Sequence, residues 1–168
     1  MKKIYIFLAG VLVTLGAVYL LSNRSEAPST SNSTSNGTTN QSTSSDVVAD
    51  YSNKGLTQFP KEVLSKTSTT VLYLQRNQLT GAMPAEIKNL KNLTTLDASY
   101  NNMTGVPAEV GQLSNLKILN LSYNQLTGLP NELGNLKQLQ TLDLRGNNAS
   151  QQDVQKIRDS LPSTTVLL

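Results

Sequence analysis

Residues 79–93 read LTGAMPAEIKNLKNL, residues 103–116 read MTGVPAEVGQLSNL and residues 126–139 read LTGLPNELGNLKQL. This repetition constrains the chain more than any other feature. Blocks begin at Asp46, Thr69, Leu93, Leu116, Leu139 and Ser163, at intervals of 23, 24, 23, 23 and 24 residues. A unit of that size is one supersecondary element, too small to bury an apolar face alone. Each copy must pack on its neighbours, so the expected architecture is a stack of equivalent turns.

The first halves of the blocks read TTVLYLQRNQL (69–79), LTTLDASYNNM (93–103), LKILNLSYNQL (116–126) and LQTLDLRGNNA (139–149). Leu72/Leu74, Leu96/Ala98, Leu119/Leu121 and Leu142/Leu144 are two residues apart, so each pair shares one face of a short strand. That face is the candidate core. Asn77, Asn101, Asn124 and Asn147 recur just after the strand, where the chain turns and backbone groups lose strand partners. A side-chain amide donates and accepts, so these four residues form a candidate structural ladder. In the second halves a Thr-Gly turn precedes Pro84, Pro107 and Pro130. Ile87/Leu90, Val110/Leu113 and Leu133/Leu136 then point inward from a short helical or irregular return.

The pattern L-x-x-L-x-L-x-x-N-x-L, held over four consecutive blocks, resembles that of leucine-rich repeats. The opening phrase resembles the plant-type variety, L-x-G-x-I-P, with Met83 in place of Ile; the next two copies are one residue shorter. The resemblance implies an α/β solenoid with a short parallel β-sheet on its concave face. It also implies that this face binds a partner. Residues 46–68 resemble the N-terminal cap of extracellular members, without its disulfides and with Lys54 at the ladder position. Repeats are expected at 69–92, 93–115, 116–138 and 139–162, with a terminal strand within 163–168. Ser150 and Asp153 outline a capping box for a helix burying Val154, Ile157 and Leu161.

Two further segments precede the stack. Residues 4–21, IYIFLAGVLVTLGAVYLL, carry no charge and follow Lys2 and Lys3. Their length and the poor cleavage pattern at SEA (25–27) favour an uncleaved membrane helix over a cleaved signal. The positive-inside rule then places the N-terminus in the cytoplasm and the repeats outside, as in a single-pass bacterial surface protein. The alternative is secretion after cleavage. Within the 1–24 segment nothing reads as a cytoplasmic signalling domain. Residues 25–45 are almost entirely Ser, Thr, Asn, Gly and Gln, which reads as a disordered tether.

Composition removes several chemistries. There is no cysteine, histidine or tryptophan, so disulfides, thiol catalysis, Cys/His zinc sites and His-based triads are excluded. Net charge is +3, but from Asp46 onward there are 11 basic and 10 acidic residues, with no basic stripe. Nucleic acid is not an expected partner. No cofactor and no metal site is expected.

Candidate contact residues fall in columns across the concave face. Tyr73, Asp97, Asn120 and Asp143 form one column. Gln75, Ser99, Ser122 and Arg145 form the next, and Arg76, Tyr100 and Tyr123 the third. Aromatic and guanidinium groups suit a protein or peptide partner. A glycan ligand, or a purely structural or adhesive role, is the alternative. The least favoured reading is a wall-polymer hydrolase using Asp97 and Asp143, about 10 Å apart across two strand spacings. The shallow surface makes a solvated, non-catalytic face the better expectation.

Overall fold

The computed structural model describes residues 46–168. The apolar segment at 4–21 and the tether at 25–45 lie outside the described residues. Among the described residues, no helix is long and apolar enough to cross a membrane.

The described residues contain eight strands: β1 (Val48–Asp50), β2 (Val71–Tyr73), β3 (Thr80–Ala82), β4 (Thr95–Asp97), β5 (Asn102–Gly105), β6 (Ile118–Asn120), β7 (Thr141–Asp143) and β8 (Thr165–Leu167). Six of them form one sheet in the order β1-β2-β4-β6-β7-β8. Every pair in it is parallel, and the register aligns Ala49, Leu72, Leu96, Leu119, Leu142 and Val166. The expected solenoid follows directly from this register. Each block contributes one strand, crosses the convex side and returns one strand further on. The strand pairs Leu72/Leu74, Leu96/Ala98, Leu119/Leu121 and Leu142/Leu144 are all buried, as are the return residues Ile87, Leu90, Val110, Leu113, Leu133 and Leu136. Each such leucine contributes about 2 kcal/mol relative to exposure, and one continuous core holds all of them.

The returns at Lys61–Ser65, Ala85–Asn89, Ala108–Gln112 and Asn131–Asn135 are single 3-10 turns. Each follows a proline, Pro60, Pro84, Pro107 or Pro130, at φ between −68° and −75°. Proline holds that angle and lacks the N–H that the first turn could not satisfy. The last return is an α-helix, α1 (Gln151–Ser160), with Val154 and Ile157 buried. The Asp153 N–H donates to Ser150 Oγ at 3.4 Å. The reciprocal half of the capping box is replaced: Asp153 Oδ2 accepts the Leu129 N–H of the preceding block at 3.2 Å. That bond ties α1 to its neighbour.

Two ladders run along the stack. In the first, Asn101 Oδ1 accepts the Leu79 N–H at 3.0 Å, while its Nδ2 donates to Leu74 O and Ala98 O. Asn124 repeats this toward Met103 N–H, Ala98 O and Leu121 O, and Asn147 toward Leu126 N–H, Leu121 O and Leu144 O. Asn77 starts the ladder, accepting from the N–H groups of Lys54 and Leu56 in the cap. The second ladder was not anticipated. Asn92 Nδ2 donates to Thr67 O and Asn115 Nδ2 to Lys91 O, each at 2.9 Å, on the exposed flank where the strands begin. Also unanticipated is the two-stranded parallel sheet β3-β5, built from the Thr-Gly segments of successive blocks.

Candidate binding surface

The sheet register extends past the strands. Asn53 N–H donates to Gln75 O, Arg76 N–H to Ser99 O, Tyr100 N–H to Ser122 O and Tyr123 N–H to Arg145 O. These bonds align the expected columns. Strand alternation adds a column that the sequence reading passed over: Val48, Val71, Thr95, Ile118, Thr141 and Thr165 lie two residues before Asp50, Tyr73, Asp97, Asn120, Asp143 and Leu167, hence on the same face. Val48 and Ile118 are exposed there.

The polar residues of the middle columns bond mainly to one another. Asp97 Oδ1 accepts from the Ser99 N–H at 2.9 Å and from Ser99 Oγ at 2.6 Å, and its Oδ2 accepts from Asn120 Nδ2 at 3.3 Å. Asn120 Oδ1 takes the same two bonds from Ser122. Ser99 and Ser122 are buried, which corrects their placement among the contact residues. The chain turns under directly after Asp97 and Asn120, and this draws each hydroxyl back onto the preceding side chain.

Asp143 is corrected in the same way. Its carboxylate accepts from Arg145 Nε at 3.0 Å and from Nη2 at 2.6 Å. The Asp143 side chain is 8% exposed against 52% for Arg145, so the surface presents the guanidinium and not the acid. The hydrogen bond to Asp143, and then its charge, hold Arg145 above its ordinary pKa. Both aspartates of the hydrolase reading are thus engaged within the surface, and no group of three or more acidic side chains that could hold a metal occurs among the described residues.

The third column is different in kind. Tyr100 and Tyr123 stack with ring centroids 4.4 Å apart and planes 14° from parallel. The Arg76 guanidinium lies over Tyr100, 5.5 Å from its centroid. Both tyrosines are nearly half exposed. Arg76, Tyr100 and Tyr123 also have positive φ, at 58°, 53° and 53°, as does Asn53 at 56°; Gly146 closes the column at 70°. Left-handed backbone costs a non-glycine residue about 1–2 kcal/mol. Arginine and tyrosine therefore stand in a turn that the chain elsewhere gives to asparagine and glycine. Tyr73 is half-buried in the second strand, and Gln75 Oε1 is buried without a partner beside it.

An open parallel sheet, stacked from equivalent blocks and lined by an aromatic column, defines a solenoid of the kind that is typically a non-enzymatic binding scaffold. Residues 69–167 match the family model of a leucine-rich repeat region, and the chain belongs to that family. A solved leucine-rich repeat protein of Leptospira interrogans is 40% identical, with a TM-score of 0.63, over 67% of this chain and 28% of that one. The plant peptide hormone receptor RGFR1, solved in complex with RGF2, is 32% identical with a TM-score of 0.55, over 65% of this chain and 18% of that one. Adenylate cyclase of Schizosaccharomyces pombe is 40% identical over 57 residues, 34% of this chain and 3% of that protein. The chain thus spans less than a third of each of these proteins.

Proposed function

We propose that the chain is a non-catalytic binding module that recognises a protein or peptide partner through the concave face. The observation that carries this reading is the exposed Tyr100–Tyr123 stack, held on strained backbone next to Arg76. Strained residues persist where the surroundings over-determine them, and they gather at ligand sites. Tyrosine and arginine are the side chains most enriched at binding hot spots. The RGFR1 complex, a neighbour of the same fold whose partner is RGF2, supports the same direction. Residues 4–21 would hold the module at the outer side of a membrane, and residues 25–45 would set it off from the surface.

The test uses the full chain immobilised against cell-surface extract, beside the double variant Tyr100→Asn/Tyr123→Asn. Asparagine accepts left-handed backbone, so the variant keeps the fold, which circular dichroism verifies. Saturable, stoichiometric binding by the parent that the variant loses supports the proposal. Binding kept by both moves the site off this face, and absence of any saturable partner favours a structural role.

A further inference from the structure

Gln75 and the cap residue Asp50 aside, the polar side chains of the concave face divide into two sets. Asp97, Ser99, Asn120 and Ser122 satisfy one another, and Asp143 satisfies Arg145. Arg76, Tyr73, Tyr100 and Tyr123 instead make no side-chain hydrogen bond to any described residue, and Arg76 has no ion-pair partner among them. The only ion pair there is Arg145–Asp143. The unused groups are one guanidinium with five N–H donors and three phenol O–H donors. The Arg76 guanidinium lies over the Tyr100 ring, 5.5 Å from its centroid, a cation–π contact that engages its charge without using its N–H groups in a hydrogen bond. A planar guanidinium with no ion-pair partner suits a carboxylate, which it can take in two parallel bonds.

The opposite flank of the same face has another chemistry. The first column presents exposed Val48 and Ile118, three strand positions apart, with Val71 buried and Thr95 half-buried between them. A ligand that covers both flanks must offer acceptors on one side and aliphatic surface on the other.

We propose that the concave face takes an extended peptide segment whose aspartate or glutamate side chain seats on Arg76 beside Tyr100, with an aliphatic side chain over the Val48–Ile118 column. The inference rests on the binding reading above and names its partner. Charge complementarity selects the carboxylate. Asp97 and Asp143 are turned inward to Ser99, Asn120 and Arg145, and Asp50, exposed at the cap end of the face, accepts the Ser52 N–H at 2.8 Å, so the free charge of the aromatic column is that of Arg76. The aliphatic column selects a peptide over an anionic polysaccharide, which has nothing to place on Val48 and Ile118.

The test is selection of a displayed library of random peptides on the full chain, on Arg76→Asn and on Arg76→Glu, with a sulfated polysaccharide as a second probe. Asn53 holds the same column at positive φ, so Arg76→Asn leaves the backbone unstrained. The expected result is enrichment of peptides pairing Asp or Glu with Ile, Leu or Val. Their synthetic versions should lose about tenfold or more in affinity on Arg76→Asn and weaken with added salt. Arg76→Glu should enrich Lys or Arg at the acidic position. Peptides enriched without an acidic residue, or bound equally by Arg76→Asn, overturn this proposal and leave the binding module standing. Polysaccharide binding that depends on Arg76, with no peptide enriched, overturns it in favour of a glycan. No saturable binding of either probe overturns it together with the binding reading it rests on.

Discussion

The ring of Tyr123 lies against the Cα of Gly146. A β-carbon placed on Gly146 would sit 2.6 Å from Cδ1 of that ring, and φ at Gly146 is +70°. Two independent costs therefore meet in Gly146→Ala: left-handed backbone, at about 1–2 kcal/mol, and overpacking against the ring, at about 1–3 kcal/mol. The expected loss by chemical denaturation is about 2–5 kcal/mol. In a Tyr123→Ala background the overpacking component disappears and only the backbone cost remains. A double-mutant cycle should show coupling of at least about 1 kcal/mol. Independent, additive effects would mean that the ring does not rest on Gly146.

Much of the repeat architecture could be read before any coordinates, because each position in a block has a local chemical requirement that recurs. Leucines two apart demand a strand face, and an amide after the strand demands unpaired backbone groups. The aromatic column was harder. Tyr100 and Tyr123 are poor residues for positive φ, so nothing in their identity announces it. The signal lay in their neighbours, since Asn53 and Gly146 occupy the same column. The first concave column is masked by a simpler effect: Val71 and Ile118 directly precede the core leucines and read as part of the same apolar run. Burial of Ser99 and Ser122 could not be read, because period-two alternation ends where the chain turns. The second ladder was legible in hindsight, since Asn92 and Asn115 directly precede the first leucines of their blocks.

Asn101 tests the ladder itself. Its Oδ1 is the acceptor for the buried Leu79 N–H, whereas Leu74 O and Ala98 O keep bonds from Asn77 and Asn124 if Asn101 is lost. Asn101→Ala therefore orphans one buried donor, at about 1–3 kcal/mol, and leaves a small void. Asn101→Asp keeps the acceptor but turns a second oxygen toward the carbonyls of Leu74, Ala98 and Ser99. It should be worse than Asn101→Ala at neutral pH, and acidification should shrink its deficit by making the carboxyl a donor. Asn92→Ala, in the exposed ladder, should cost less than about 1 kcal/mol. Urea titrations of the three variants supply the ranking, and equal losses at Asn92 and Asn101 would contradict the burial argument.

Gly111 and Gly134 occupy the same place in successive returns, where the block beginning at Thr69 has Lys88. A β-carbon on Gly111 would meet the backbone carbonyl of Glu132 in the next return, well inside contact distance. One on Gly134 would meet only the side chain of Ser160, at the end of α1. Relief at Gly134 requires the last turn of α1 to shift, since Ser160 Cβ lies 2.7 Å away, whereas relief at Gly111 requires backbone inside a packed return to move. Gly111→Ala should therefore destabilise by about 2–3 kcal/mol and Gly134→Ala by less. The reverse order in thermal or chemical denaturation would show that the returns are more loosely packed than these approaches indicate.

Thr69 opens the first full block, at the position filled by Leu93, Leu116 and Leu139 in the others. It is fully buried, and its Oγ1 has no hydrogen-bond partner. An unpaired buried hydroxyl costs about 1–3 kcal/mol in lost hydration, and nothing in the surrounding core of leucines offsets it. Thr69→Val keeps the shape and removes the polar atom, so it should raise stability by about 1 kcal/mol, read as a higher denaturant midpoint at unchanged slope. Thr69→Leu adds a methylene to a space formed around threonine, so it should gain less than valine or lose stability. If Thr69→Val instead destabilises, the hydroxyl has a partner in solution, and a buried water donating to or accepting from Oγ1 becomes the explanation to test by hydrogen exchange at Leu72 and Leu93.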